Sequence, residues 1–472
     1  MKNFIFASLL ILISLQTSQA QILKCGDHPY RQHLIKKYPG IEDHMHAPND
    51  RNASRSNDVY RIPVVVHVVY NTTEENVSDA IVRSQIDILN QDFRRQNTDA
   101  SKTRDVFKGV AGDAMIEFYL ADTDPNGNPT SGITRKKTNK KSFIEFDILL
   151  LFQASIACGV DFNDPASIEE NMECIQAFFE ANGSSFEDIL GGIDNVKYAD
   201  KGGTDPWDQK KYLNIWVCNL ALDVLGEQVP FVLGFAYPPV GAPLFPPGSL
   251  PEGYEVNDGV VIHYPVFGIN NPGIGNLAGL NDKGRTCTHE VGHYLGLRHI
   301  WGDGDCTVDD GIADTPDADD SSQAEDPSIT CESLFTKNTC SEIATQFPDM
   351  IENYMDYSKE ECMNMFSQGQ INMMRSMLEG PRAELIGLPA SVGSVEKNGF
   401  FVFPNPTGNE LNINYESPGQ YEIAIIDILG KTVYNGRSDV SRIDVSGLNN
   451  GVYFLQAMGE HQAFSARFTI QK

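Results

Sequence analysis

One segment constrains the chain more than any other: His289-Glu290-Val291-Gly292-His293-Tyr294-Leu295-Gly296-Leu297-Arg298-His299. Helical residues four apart lie above one another, so His289 and His293 share a face and can share one ion. Glu290 stands one position on, close to that ion without binding it, where a carboxylate can serve as general base. Gly296 can adopt the left-handed conformation that ends a helix, letting the chain swing back and bring in His299 as a third ligand. Three imidazoles leave one position of a tetrahedral zinc ion open, as a catalytic site requires. The bland alternative is a solvated helix with unrelated histidines. The full HExxHxxGxxH spacing is far more specific than its HExxH half and argues against it.

The N-terminus has a secretory pattern: Lys2, an apolar run over residues 4–15, then Ser18-Gln19-Ala20 with small residues flanking a cut after Ala20. Residues 1–20 are therefore expected to be a signal peptide. Later apolar runs, including Ile148-Leu149-Leu150-Leu151-Phe152, fall far short of the roughly 20 residues needed to span a bilayer. Of the 472 residues, 64 are acidic and 36 basic, a net charge of −28 that repels phosphate backbones and anionic lipids. Nucleic acid is a poor candidate partner on that ground. Nine cysteines in an exported chain argue for disulfides, and the odd count leaves a thiol over. Cys25 stands apart near the mature N-terminus, while the other eight lie between Cys158 and Cys362.

Residues 21–57 are polar, broken by Pro29, Pro39 and Pro48, and read as a pro-segment. At Ile62-Pro63-Val64-Val65-Val66-His67-Val68-Val69-Tyr70 the pattern becomes that of a buried strand, which opens a domain over 58–390. Apolar residues at helical spacing predict a helix over 78–95 with Ser78 as its cap. Strands are predicted at 115–120, 212–217 and 260–264, giving an α/β layer with a twisted mixed sheet. A helical-looking insertion spans about 143–195, and its two cysteines most simply pair as Cys158–Cys174. Residues 391–398 read as a linker. The short alternating strands and regular turns of 399–472 predict an all-β sandwich.

These residues resemble the metzincin metalloproteases. The flanks, Gly284-Arg285-Thr286, Trp301-Gly302-Asp303 and Tyr212-Leu213-Asn214-Ile215-Trp216-Val217-Cys218, are similar to the pappalysin family, with the insertion as the departure. The resemblance implies an α+β catalytic domain around an active-site helix, covering roughly 60–385. It implies that Asn353-Tyr354-Met355-Asp356-Tyr357 is the Met-turn, with Met355 beneath the imidazoles and Tyr357 reaching the oxyanion as a catalytic residue. It further implies a structural calcium ion held by the Asp310 and Thr315 side chains and the Asp309 and Ala313 carbonyls. A solvated acidic loop is the competing reading of that stretch.

By the same resemblance Cys306 pairs with Cys340 and Cys331 with Cys362, which leaves Cys218 and Cys287 for each other, although spacing alone does not fix connectivity. Glu360 and Glu361 stand where the family carries an acidic S1' residue, implying a preference for Arg or Lys after the scissile bond (P1'), against the alternative of two surface glutamates. Cys25-Gly26 resembles a cysteine switch that silences the zinc, against an incidental thiol or an intermolecular disulfide. Phe403-Pro404-Asn405-Pro406, Gly451-Val452-Tyr453-Phe454-Leu455 and the terminal Phe468-Thr469-Ile470-Gln471-Lys472 resemble the type IX secretion sorting domain. That implies export by the type IX machinery to the exterior or cell surface of a Gram-negative, Bacteroidota-like bacterium.

The expectation is a secreted zinc endopeptidase acting on proteins or peptides and made as a zymogen. Its rival is a surface-binding protein or adhesin with a structural zinc site, whose fourth ligand would be another protein side chain.

Overall fold

A computed structural model describes residues 24–25, 58–144, 148–160, 192–224, 227–230, 232–237, 257–323, 326–340 and 347–387, a few positions between 171 and 181, and most of 401–472. The expected signal peptide, nearly all of the pro-segment and the linker lie outside these residues. The chain divides into two compact units, Met1–Pro389 and Ala390–Lys472.

The first unit is built on a mixed sheet in the order β2-β1-β4-β8-β7, with β3 continuing along the edge of β1 that β2 occupies. Strand β1 is Tyr60–Tyr70, β2 Ile116–Leu120, β3 Ile133–Lys137, β4 Leu213–Cys218, β7 Gly234–Ala236 and β8 Val260–His263; β5 (Ala221–Val224) and β6 (Glu227–Pro230) form a separate hairpin. β1, β2, β3, β4 and β8 run parallel, and β7 runs antiparallel to β8 at the edge. Parallel strands covered on both faces read as continuous apolar runs, which is why β1 and β4 lack alternation.

The two faces build separate cores. Ile62, Val64, Val66, Val68, Ile215, Val217 and Ile262 point to the larger one. There they meet helix α1 (Asp79–Phe93) through Val82, Leu89 and Phe93, each such burial being worth roughly 1.5–3 kcal/mol. Ser78 caps α1, its hydroxyl accepting the Ile81 N–H at 3.4 Å. Val69, Trp216 and Val261 point the other way, against Phe143, Ile144 and Val196. In the insertion, the described residues include helix α2 (Ile148–Ala157) and the Cys158–Cys174 disulfide.

The expected Cys218–Cys287 bond is absent. Both thiols are free and buried. Cys218 ends β4 on the Trp216 face, whereas Cys287 lies on a helix packed against the opposite face. A disulfide needs Cα atoms about 4.4–6.8 Å apart, and the sheet stands between these two. Cys306–Cys340 and Cys331–Cys362 are bonded, tying the acidic loop to the segment after it.

The second unit packs two antiparallel sheets face to face. One is β13-β10-β9 (Arg442–Asp444, Glu410–Asn414, Phe401–Phe403), and the other β12-β11-β14-β15 (Thr432–Arg437, Glu422–Asp427, Gly451–Met458, Ala463–Ile470). Their inner faces share Leu411, Ile413, Ile425, Leu455 and Phe468. Among the described residues no helix is long and apolar enough to cross a membrane.

Candidate metal centre

The histidines sit on and just beyond helix α3 (Arg285–Tyr294), all ten residues of which are buried. Buried helix termini need partners for their free N–H groups. Here the Glu360 carboxylate accepts Thr286 N–H at 2.6 Å and the Thr286 hydroxyl at 2.7 Å, placing a negative charge at the positive end of the helix dipole. The helix ends in a Schellman motif. Gly296 takes φ 91°, its N–H bonds to His293 O at 2.8 Å, and Leu297 N–H bonds to Gly292 O at 3.0 Å. That turn returns the chain so that His299 faces the helix.

The Nε2 atoms of His289 and His299 each lie 3.1 Å from Nε2 of His293. Ligands about 2.0–2.1 Å from a tetrahedral zinc ion stand roughly 3.3 Å apart, so the spacing fits that ion. The outer nitrogens are fixed too. Nδ1–H of His289 donates to Tyr354 O at 2.7 Å, that of His293 to Leu297 O at 2.8 Å, and that of His299 to the Asp303 carboxylate. With all three Nδ1 protons so committed, every Nε2 lone pair points inward, as a metal requires. Burial and then the neighbouring His293 hold His289 well below the ordinary histidine range, in the neutral form that can ligate.

Cys25 joins this cluster. Its sulfur and the three imidazoles place their ligand atoms within 4.8 Å of one another. The Cys25 thiol donates to Glu290 Oε2 at 3.5 Å. Gly234 of edge strand β7 lies against the same glutamate, where a Cβ would stand 2.8 Å from Glu290 Cγ. Met355 lies under the helix, and a Cβ on Gly292 would run into its sulfur. The Tyr357 ring packs 4.9 Å from His299 and 4.8 Å from Trp301, which itself stacks flat on His299 at 4.4 Å.

Beside the histidines is a pocket lined by Lys24, Thr286, His289, Asp356, Tyr357 and Glu360. Lys24 forms part of its wall, its ammonium donating to Tyr357 O and Ser358 O at 2.6 Å each. Desolvation lowers the Lys24 ammonium to about 8 against the pull of Glu360 and Asp356. Of the two glutamates expected there, only Glu360 belongs to this pocket. Glu361 is 47% exposed and pairs with Lys359 at 2.8 Å, because its side chain points outward from the same turn.

In the acidic loop, Asp310 is buried and accepts the Thr315 hydroxyl on both carboxylate oxygens at 2.9 Å. Burial pushes its carboxyl well above the usual range. Asp309 and Ala313 are exposed, and the Asp309 carbonyl accepts from Arg298 at 3.0 Å. Asp314 accepts the Ser367 hydroxyl at 2.6 Å and Gly369 N–H at 2.9 Å, capping helix α4 (Gln368–Glu379).

Several functional neighbours escaped the sequence reading. Asp303 stands four residues after His299, within a quoted flank, and that spacing is the signal for it. Lys24 is adjacent to Cys25. Arg285 forks onto Asp99 at 2.7 and 2.8 Å and reaches Asp92 at 3.4 Å, while Asp92 accepts Tyr354 O–H at 2.7 Å and Thr288 O–H at 2.9 Å. This network joins α1, α3 and the turn at Tyr354, and no local pattern announces it.

The family model described as pregnancy-associated plasma protein-A, a peptidase family, matches residues 258–379, and the secretion system C-terminal sorting domain matches 401–471. Mature mirolysin of Tannerella forsythia, solved with a cleaved peptide, is 38% identical over 70% of this chain and 97% of that one, with a TM-score of 0.51. A mutant of promirolysin from the same organism is 35% identical over 77% and 96%, with a TM-score of 0.53. An extracellular metalloprotease of Arthroderma gypseum is 31% identical over 220 residues, 45% of this chain. The chain spans 65% of the length of that curated relative. Identity and coverage against the mirolysin chains settle the kinship: the chain belongs to the pappalysin family of metalloproteases and carries a secretion sorting domain at its C-terminus.

Proposed function

We propose that the protein is a secreted zinc endopeptidase of protein or peptide substrates, exported by a type IX system and made as a zymogen. The observation that carries the reading is the convergence of three Nε2 atoms with their Nδ1 protons committed elsewhere, beside a buried Glu290. A zinc ion held by His289, His293 and His299 would supply Lewis acidity and lower the pKa of water. Glu290 takes the proton from the attacking water and later gives it to the leaving amine. The Tyr357 hydroxyl donates to the oxyanion, with Trp301 restraining its ring. Met355 packs as an apolar floor under the helix.

Latency is assigned to Cys25, a reading supported by its sulfur lying within 4.8 Å of the three imidazole ligand atoms and by its thiol donating to Glu290. Lys24 strengthens that reading. It lies against Tyr357, Ser358 and Glu360 beside the histidines, so the pair Lys24-Cys25 covers both the pocket and the imidazoles. A lysine in a pocket edged by Glu360 also supports a preference for Arg or Lys after the scissile bond. Calcium is proposed at Asp310 and Thr315 with the Asp309 and Ala313 carbonyls, supported by the burial of the Asp310 carboxylate.

The adhesin reading draws on one observation, that a fourth protein side chain, Cys25, lies within ligand distance of the three imidazoles. It leaves Glu290 beside them without a role. Incubating the activated protein and its Glu290→Ala variant with a peptide library, with products read by mass spectrometry, separates the two. Cleavage by wild type alone supports the endopeptidase, and intact libraries from both end that reading.

A further inference from the structure

We infer that Lys197, on the face of the sheet turned away from the histidines, is a positioning residue for the peptidase reaction, holding edge strand β7 against Glu290. The inference rests on the protease reading of the site. Lys197 closes the 3-10 turn Asp194–Lys197, where the chain leaves the insertion. Its side chain is fully buried, and the ammonium lies 3.1 Å from the Asp194 carboxylate. Three rings cage it: the ammonium stands over Tyr237 at 4.0 Å, Phe235 at 4.9 Å and Trp216 at 5.6 Å from their centroids. Trp216 belongs to β4 and Phe235 to β7, and Tyr237 is the next residue after β7. Phe143 and Ile144, where the chain enters the insertion, pack in the same core as Phe235 and Tyr237, so both ends of the insertion meet behind this strand.

Successive side chains of a strand take opposite faces. Phe235 is thus turned to the cage, while Gly234 and Ala236 face the side of α3. There the strand comes so close that a Cβ on Gly234 would stand 2.8 Å from Glu290 Cγ and 3.0 Å from its Oε1. The position of β7 therefore sets the wall on which the general base rests. β7 has only three residues and, among the described residues, pairs with β8 alone, so its backbone bonds hold it weakly. A cation–π attraction stripped of water is strong enough to add to that hold. Stability by itself does not call for a lysine here. Methionine would fill similar space without desolvating a charge, and Asp194, 20% exposed, would keep its water.

The experiment measures kcat and KM of the activated protein on one fluorogenic peptide, together with Tm and amide hydrogen exchange over residues 232–237. Wild type is compared with Lys197→Met, Lys197→Arg, Tyr237→Leu and the Lys197→Met/Tyr237→Leu double variant. Lys197→Met should keep its Tm close to wild type, exchange faster at 232–237 and lose about tenfold in kcat with KM little changed, the scale of one cation–π contact out of water. Lys197→Arg keeps the charge over the rings and should recover part of the loss. Tyr237→Leu should lose a similar factor, and the double variant little more than either single one, because both residues act through one contact. A Lys197→Met variant with wild-type kcat overturns the inference. So does one whose kcat falls only in step with Tm and with faster exchange throughout the domain, the behaviour of a plain core residue, and so do fully additive losses in the double variant. Should Lys197→Met fail to fold, wild-type kcat in Tyr237→Leu overturns it in the same way. If wild type cleaves no peptide at all, it is the protease reading that fails.

Discussion

The Asp303 carboxylate accepts Nδ1–H of His299 from four residues further along the chain, and both side chains are almost fully buried. The partner that orients the third imidazole is thus carried by the same turn as the imidazole. Carboxylates in this position raise ligand basicity and fix the tautomer. Asp303→Ala should weaken zinc binding by about 10–100-fold, read by competition with a chromogenic chelator. Affinity equal to wild type would remove Asp303 from the site.

Cys25 should be the element that keeps the unprocessed chain silent. In Cys25→Ala the open metal position is available to water, and peptidase activity of the full-length chain should rise by about tenfold or more without any cleavage. Lys24→Met should raise it less, since the thiol remains. Activity assays paired with gels that exclude processing check both, and a Cys25→Ala chain as quiet as wild type defeats the switch.

The Asp92–Arg285 pair is a second target because it is buried and holds three elements together. Burial raises the Asp92 carboxyl, and the Arg285 guanidinium beside it works in the opposite direction. Removing one partner leaves the other charge uncompensated, so Asp92→Ala should cost about 3 kcal/mol in a denaturant melt. A midpoint shift near zero would show that the network is not needed for folding.

Stability should fall in acid for a reason that can be assigned. His67 is buried neutral between Thr134 at 2.7 Å and Asn214 at 2.9 Å, and desolvation lowers it to about 4. Burial likewise lowers His263 to about 3. Between those values and about 6.5 the unfolded chain binds protons that the folded chain refuses, so stability rises with pH across that window. It is fully present above about 6.5 and is lost as pH falls towards 4, by up to about 3 kcal/mol for His67. A His67→Gln variant should show a flatter acid limb in Tm against pH, and an unchanged slope would assign the acid loss elsewhere.

Calcium should stabilise the acidic loop through Asp310. Added calcium should raise Tm of wild type after chelation, and Asp310→Asn should abolish the rise. Equal shifts in both proteins would move the ion to another site.

The sequence by itself determined the convergence of three imidazoles, because a helix repeats on a period that stacks His289 on His293, and a left-handed Gly296 is enough to return His299. The Cys158–Cys174 pairing was legible because both cysteines lie in one local insert, whereas Cys306–Cys340 came only from the family resemblance. What depended on which face of the sheet a residue takes was not. Cys218 and Cys287 were the cysteines left over, yet β4 directs one away from the helix that carries the other. Adjacent glutamates were equivalent in the sequence, and only the turn after Met355 sent Glu360 inward to cap α3 and Glu361 out to Lys359. Lys24 and Asp92 acquire their contacts by meeting residues hundreds of positions away. Those contacts depend on three-dimensional packing, on which local spacing has no bearing.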